Sequence, residues 1–504
     1  MPMKNNLRRT ILSQYPRDYL TFTAVESGAF GFTYFEGAQG KLQYTRNDGI
    51  SWNDVSEDIE VYEDEVIKFK GNLIPVIATG DTDDKSGGIG TFNSTGQFIA
   101  SGNAMSLIYG DDFGDKTEVP NSAFYRLFKN CDKLVSMDDL KLPATKLNNW
   151  CYYAMFAYCT GLTSIPEKLL PAITNLKQHC YHSMFYGCTG LTNLPEKLLP
   201  TTSLYGGDYC YYYMFCNCTG LTSLPEKLLP ATTLATNCYS SMFYGCTSLT
   251  SAPELPATTL AGYCYHHMFN GCTSLTTVPE LPATTLATCC YDSMFVGCSR
   301  LTSVPENLLP ATTLANNCYL SMFHSCSGLT SLPEKLLPAT NLKNDCYHSM
   351  FYMCSGLTSI PKKLLHAKDL SGANNCYHHM FARCTRLTEA PELPATKLAQ
   401  YCYYYMFQDC TSLTTAPELP AITLANNCYR YMFNGCTKLN YIKALFTTTP
   451  SGSYTNNWVS RVASSGTFVK NSEATWDVRG TSGIPEGWTV ETIDVEEVEN
   501  NETA

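Results

Sequence analysis

Three residue types recur at fixed spacing in this chain and have side chains that could do chemistry. Cysteines come in pairs eight apart, as at Cys151 and Cys159 or Cys238 and Cys246. Two thiols at that separation could close a disulfide or share a metal ion. A glutamate follows a proline at Glu167, Glu196, Glu226, Glu254, Glu280, Glu306, Glu334, Glu392 and Glu418, with Lys362 interrupting the series. Neighbouring carboxylates are the machinery of glycoside hydrolysis. Histidines stand side by side at His266–His267 and His378–His379, and imidazole is a common metal ligand.

Each pattern also has a plainer reading. Cys-x7-Cys is not a zinc-finger spacing, and no Cys-Cys-His-His set recurs. Positions that recur once per coil stack into columns, and small thiols suit a narrow interior. The reading is therefore buried reduced cysteine, with a disulfide inside each coil as the alternative. Met1–Leu20 carries no apolar stretch of signal-peptide type, so a reducing compartment is expected, which favours thiols. Glutamates stacked at ~4.8 Å form a uniform row, without the distinct acid and base environments that hydrolysis needs. A solvated, weakly cation-binding edge is expected instead. Adjacent residues on a helix do not face one another, so no shared metal site is expected of the histidine pairs. No phosphate loop, nucleophile elbow or His-Glu-x-x-His motif occurs. The expectation is no catalytic residue, no metal and no cofactor.

What positions these residues is a repeat. Cys-Tyr-x-x-Met-Phe-x-x-Cys-x-x-Leu occurs eleven times, with first cysteines from Cys151 to Cys428 spaced 26 to 30 residues apart. A degenerate copy precedes them at Ala123, Phe124, Leu127, Phe128, Cys131 and Leu134. In ten copies a proline follows the first cysteine by fifteen residues. A short period of this kind predicts a solenoid whose units pack only on their neighbours. Cys, Met and Phe at i, i+4 and i+5 suit one face of a short helical turn. The Leu-Thr-x-x-Pro-Glu segment suits one brief strand.

Met-Phe-x-x-Cys-x-x-Leu followed by a short Leu/Pro segment resembles the BspA-like leucine-rich repeat, in its Met-Phe-x-x-Cys variant. Similar arrays are found in surface proteins of gut and oral bacteria and in predicted proteins of gut phages. The resemblance implies adhesion or recognition and no enzymatic activity. No signal peptide is expected at Met1–Leu20, in which this chain would depart from the family's secreted members, and its Lys-Leu-Leu insertions lengthen the repeat. The expected fold is a repeat solenoid, leucine-rich-repeat-like, with one short parallel strand and one short helical turn per coil. A β-sandwich-like N-terminal domain precedes it and a C-terminal β cap follows. The expected boundaries are 1–118, 119–441 for twelve units, 442–490 for the cap, and 491–504 for an acidic disordered tail.

The flanks support this division. Leu20–Thr23, Phe30–Tyr34 and Val66–Phe69 alternate as strands do. Thr45-x-Asn47-x-Gly49-x-Ser51-Trp52 resembles an Asp-box turn and is expected to be a hairpin with a packed tryptophan. Trp458, Trp476 and Trp488 gather in the expected cap. The net charge is −11 and no run of eighteen apolar residues occurs. The expectation is thus no nucleic-acid partner and no membrane insertion.

Sites of recognition are sought where the copies differ. The second position after the first cysteine carries Tyr153, His182, Tyr212, His266, His348, His378, Tyr404 and Arg430, among others. The position after the phenylalanine carries Tyr186, Tyr244 and Tyr352, among others. Such drift is poorly tolerated in a packed interior, so these side chains are expected in solvent as a binding stripe. The expected function is non-enzymatic recognition of a cell-surface protein or glycan by a phage tail-associated or other virion component. The N-terminal domain would then contact other virion proteins. The alternatives are a bacterial surface adhesin of the BspA-like type and a purely structural spacer. The expected location is a virion or an extracellular surface, after synthesis in a bacterial cytoplasm.

Overall fold

The computed structural model describes residues 18–78 and 87–494. The signal-peptide question at Met1–Leu20 falls almost wholly outside them. The chain forms two compact units, residues 1–201 with 218–220, and residues 202–217 with 221–504.

The first unit opens with ten strands: β1 (Leu20–Ala24), β2 (Gly28–Tyr34), β3 (Leu42–Thr45), β4 (Asn53–Asp54), β5 (Ile59–Val61), β6 (Val66–Gly71), β7 (Gly90–Ser94), β8 (Phe98–Asn103), β9 (Leu134–Ser136) and β10 (Leu140–Lys141). The expected β-sandwich is instead a mixed seven-stranded sheet, ordered β10-β8-β1-β6-β3-β4 with β9 on β8, and a three-stranded sheet, β5-β2-β7. The sheet is mixed because β9 and β10, from the degenerate first repeat, pair parallel with β8. Alternation buries Leu20, Phe22 and Ala24 on one face of β1. Phe22 contacts Phe30, Phe69, Phe92 and Phe98. The Asp-box-like segment forms a hairpin between β3 and β4. Its Ser51 N–H donates to Asn47 Oδ1 at 3.0 Å, and the Trp52 ring packs on Tyr19 at 5.0 Å.

The repeats correct the expected strand and helical turn. Among the described residues the one α-helix is α1 (Ser106–Tyr109), outside the motif copies. Each copy instead carries three residues of positive φ, four apart: Trp150, Ala154 and Tyr158, or Asp345, Ser349 and Met353. A left-handed residue every fourth position is incompatible with an α-helix of L-residues. The backbone becomes a chain of tight turns whose alternate amides bond inward and across. In the first unit, Met155 N–H donates to Tyr152 O at 3.3 Å and Ala157 N–H to Ala154 O at 3.1 Å. Between them, Ala154 N–H reaches His182 O at 2.8 Å and Phe156 N–H reaches Met184 O at 2.9 Å in the next copy. The second unit repeats this, with Ser349 N–H to His378 O at 2.7 Å and Phe351 N–H to Met380 O at 3.0 Å.

The expected strand dissolves for a different reason. Proline has no N–H to give a ladder, and here it recurs in the very segment read as strand. What remains is isolated bridges, such as Ser359 with Glu389. Single bonds add to these, such as Thr276 N–H to Thr250 O at 3.1 Å.

The invariant positions line the interior. Cys, Tyr, Met, Phe and Leu of the motif are buried in every copy. Tyrosines stack from copy to copy, as in Tyr152–Tyr181 at 5.6 Å and Tyr319–Tyr347 at 5.9 Å. All 25 cysteines are buried free thiols. The second cysteine of a copy donates to the phenylalanine carbonyl one copy earlier, Cys326 to Phe295 O at 3.1 Å for example.

The second unit ends in a parallel sheet of β11 (Tyr441–Ala444), β12 (Thr467–Asn471) and β13 (Thr489–Ile493). The turn ladder runs on past the last motif: Phe433 N–H donates to Trp458 O at 2.8 Å, and Asn457 and Arg461 take positive φ. Glu491 to Ile493, expected in a disordered tail, belong to β13. Residues 495–504 lie outside the described part.

Candidate functional site

The turn backbone decides which side chains meet at the surface. The residue two after the first cysteine and the left-handed residue after it both project beside the buried columns. Their side chains can therefore touch, unlike adjacent residues on a helix. The His266 and His267 ring centroids are 4.0 Å apart, and those of His378 and His379 are 4.4 Å apart. The expectation that such pairs point away from each other assumed a helix, and the left-handed φ of His267 and His379 removes that premise.

The expected stripe divides by environment. Tyr153 and His182 are buried. Tyr212, His266, His348, His378, Tyr404, Arg430, Tyr186 and Tyr352 are half-buried. Tyr244 is exposed, at 38%. Drift between copies does not by itself place a residue in solvent here, because several of these side chains pack on their counterparts in the next copy, as His348 does on His378 at 4.2 Å and His378 on Tyr404 at 4.7 Å. In the first unit Tyr153 stacks on Tyr125 at 4.7 Å and on His182 at 4.6 Å. Beside them lies a cleft of about 220 Å³ lined by Arg126, Lys129, Tyr158 and Tyr186, among others.

The second unit brings together His348, His378, Tyr404 and Arg430. It adds three residues that the motif comparison passed over: His379, Tyr405 and Tyr431. His379 stacks on Tyr405 at 4.5 Å, and Tyr405 on Tyr431 at 4.7 Å, each within 5° of parallel. The Arg430 guanidinium lies over the Tyr431 ring, 5.3 Å from its centroid. A signal for these residues was present. The third position after the first cysteine is serine in five copies (Ser183, Ser241, Ser293, Ser321, Ser349) and becomes His379, Tyr405 and Tyr431 in the last three. Tyr212 and Tyr244 stand apart from this cluster, Tyr212 against Tyr209 and Tyr213.

Burial sets the charge of the imidazoles. It lowers His378 to about 2, with His348 and His379 adding to the effect. It lowers His379 to about 4, assisted by His348 and Arg383. His266 falls to about 3 through burial and then His267, and burial raises the Asp292 carboxyl to about 6. These rings are neutral at pH 7. The 3.6 Å approach of His266 Nε2 to Asp292 is therefore a contact of neutral imidazole with carboxylate. The glutamate row lies exposed except at Glu418, which is half-buried and pairs with Lys443 at 2.8 Å.

The family model described as "BspA type Leucine rich repeat region" matches in six copies, over 208–335, 236–414 and 371–459. Together these cover 208–459, which is 252 of 504 residues, or half of the chain. No curated protein matches. Among solved structures, one titled "Crystal structure of TLR13-ssRNA13 complex" is similar at 13% identity with a TM-score of 0.18. The alignment covers 72% of this chain and 61% of that one. A likeness that low carries no argument about fold or ligand.

Proposed function

We propose that this chain, which belongs to the BspA-type leucine-rich-repeat family, is a surface recognition protein that binds a cell-surface protein or glycan through its second unit. Repeats of this type are generically non-catalytic, and the chain is not an enzyme. The observation that carries the reading is the cluster of His378, His379, Tyr404, Tyr405, Arg430 and Tyr431. All six are half-buried and held by stacking on one another above invariant buried columns. Aromatic side chains fixed in this way offer contact area at small entropic cost.

The family match supports the surface-adhesin form of this reading. The virion form has no support beyond the motif resemblance. No helix among the described residues is long and apolar enough to cross a membrane.

The test is binding of the full chain to whole bacterial cells and to a glycan array. The variants Tyr404→Ser, Tyr405→Ser and Tyr431→Ser place serine where Ser240 and Ser349 occupy the same registers, so the fold is retained. Loss of a recognition hot spot of ~2 kcal/mol predicts a fall in affinity of about thirtyfold for the triple variant. Equal binding by parent and variant would refute the reading. So would the absence of any envelope ligand.

A further inference from the structure

The ligating atoms of His348, His378 and His379 lie within 4.8 Å of one another. Two consecutive copies build this group: His348 comes from one, and His378 and His379 from the next. We propose that these three imidazoles form a binding site for a borderline divalent cation of the Zn²⁺ class, with Asp345 orienting His348.

Three observations point the same way. First, His348 Nδ1 is 3.1 Å from Asp345 Oδ1. A carboxylate on one ring nitrogen fixes the tautomer that leaves Nε2 as a lone-pair donor, the usual arrangement behind a metal-bound histidine. Second, both ring nitrogens of His378 are buried with no hydrogen-bond partner. Buried polar atoms are almost always paired, and a cation would take the free lone pair. Third, the donor set is nitrogen alone, which suits Zn²⁺, Ni²⁺ or Cu²⁺ and not Ca²⁺ or Mg²⁺. Coordination at ~2.0–2.1 Å brings tetrahedral ligands to ~3.3–3.4 Å of one another, a closure within reach of side-chain rotation.

A second group, His266, His267 and Asp292, has a similar spread but a different state. Ser240 Oγ lies 3.3 Å from His266 Nδ1, and Asn270 Nδ2 lies 2.8 Å from His267 Nδ1. Asp292 Oδ2 faces His266 Nε2. Its nitrogens are largely satisfied, so the site is assigned to the first group alone. The assignment does not depend on the recognition reading, since a cation can bind whether or not the aromatic cluster holds a partner.

The test is titration of the full chain with cobalt chloride, then displacement by zinc chloride, followed by visible absorption and calorimetry. One equivalent is expected, with the d–d spectrum of tetrahedral nitrogen coordination and no sulfur-to-metal charge-transfer band. His378→Leu and His379→Ser copy Leu320 and Ser349 of the same registers, so the turn ladder is kept. Each should abolish the spectrum or weaken binding by more than tenfold. Asp345→Asn copies Asn375 and should weaken binding ~10–100-fold, as removal of an outer-shell partner does. His267→Ser should leave binding unchanged. The assignment fails if the parent takes up no cobalt, or if a thiolate band appears. It fails equally if the His378 and His379 variants bind as the parent does, or if His267→Ser is the substitution that removes the metal.

Discussion

At the scale of single residues, the thiols do more than fill space. The Phe295 carbonyl accepts the Cys298 N–H at 3.2 Å and also the Cys326 thiol at 3.1 Å. The thiol thus gives a buried oxygen its second partner while remaining apolar enough to line the interior. Burial pushes Cys188, Cys238 and Cys384 up to about 12, whereas a thiol in the unfolded chain ionises near ~8.5. The unfolded state therefore loses protons first. The stability these neutral thiols carry is complete below pH ~8.5 and declines as pH rises toward 12. The midpoint of urea unfolding should fall steadily above pH ~9, and a flat profile up to pH ~11 would contradict the buried-thiol account. Nothing in the structure explains why the invariant tyrosines keep hydroxyls that find no partner at Tyr152, Tyr291, Tyr403 and Tyr429.

At the scale of the element, the repeat is a turn ladder because one residue in four is left-handed. The position before the second cysteine shows this most plainly. Gly187, Asn217, Gly245, Gly271, Gly297, Asp409 and Gly435 occupy it in seven of the eleven copies, and Tyr158, Ser325, Met353 and Arg383 in the other four, all with positive φ. Glycine, asparagine and aspartate visit that conformation at least cost. One such position is also how a helical turn ends, so the column alone does not separate the two; the left-handed residues four and eight positions earlier, such as Ser349 and Asp345, do. A Cβ at Gly271 would meet only Gly245 backbone atoms at 3.6 Å, so space is not the obstacle there. Gly271→Val should therefore cost ~1–2 kcal/mol from backbone strain alone. Gly271→Asn, which copies Asn217, should be close to neutral. Denaturant melts of the two variants separate them, and equal losses would mean that the left-handed position is not what matters.

At the scale of the whole chain, the second unit closes its repeats with tryptophan. Trp458 is completely buried where the motif would place another copy, and its indole N–H donates to Gly483 O at 2.9 Å. Trp476 and Trp488 donate in the same way, to Phe446 O at 3.2 Å and Ala463 O at 2.8 Å. An end of a repeat array needs such a closure because each unit is stabilised by its neighbour. Trp458→Ala should cost ~3–5 kcal/mol, the usual range for a buried aromatic truncated in place. Equilibrium unfolding measures this, and a loss under ~1 kcal/mol would show that the array does not depend on its end.

The amino-acid sequence by itself determined the repeat, its register, the buried identity of the Cys, Tyr, Met, Phe and Leu columns, the strands near Leu20, Phe30 and Val66, and the family. All of these follow from periodicity and hydrophobic burial, which act locally and can be counted. Only the tertiary structure decided that the repeat backbone is turns, that Tyr153 and His182 are buried, and that His348 meets His378 and His379. Those outcomes depend on bonds and ring contacts between copies some thirty residues apart, and a single copy read alone contains no trace of its neighbour.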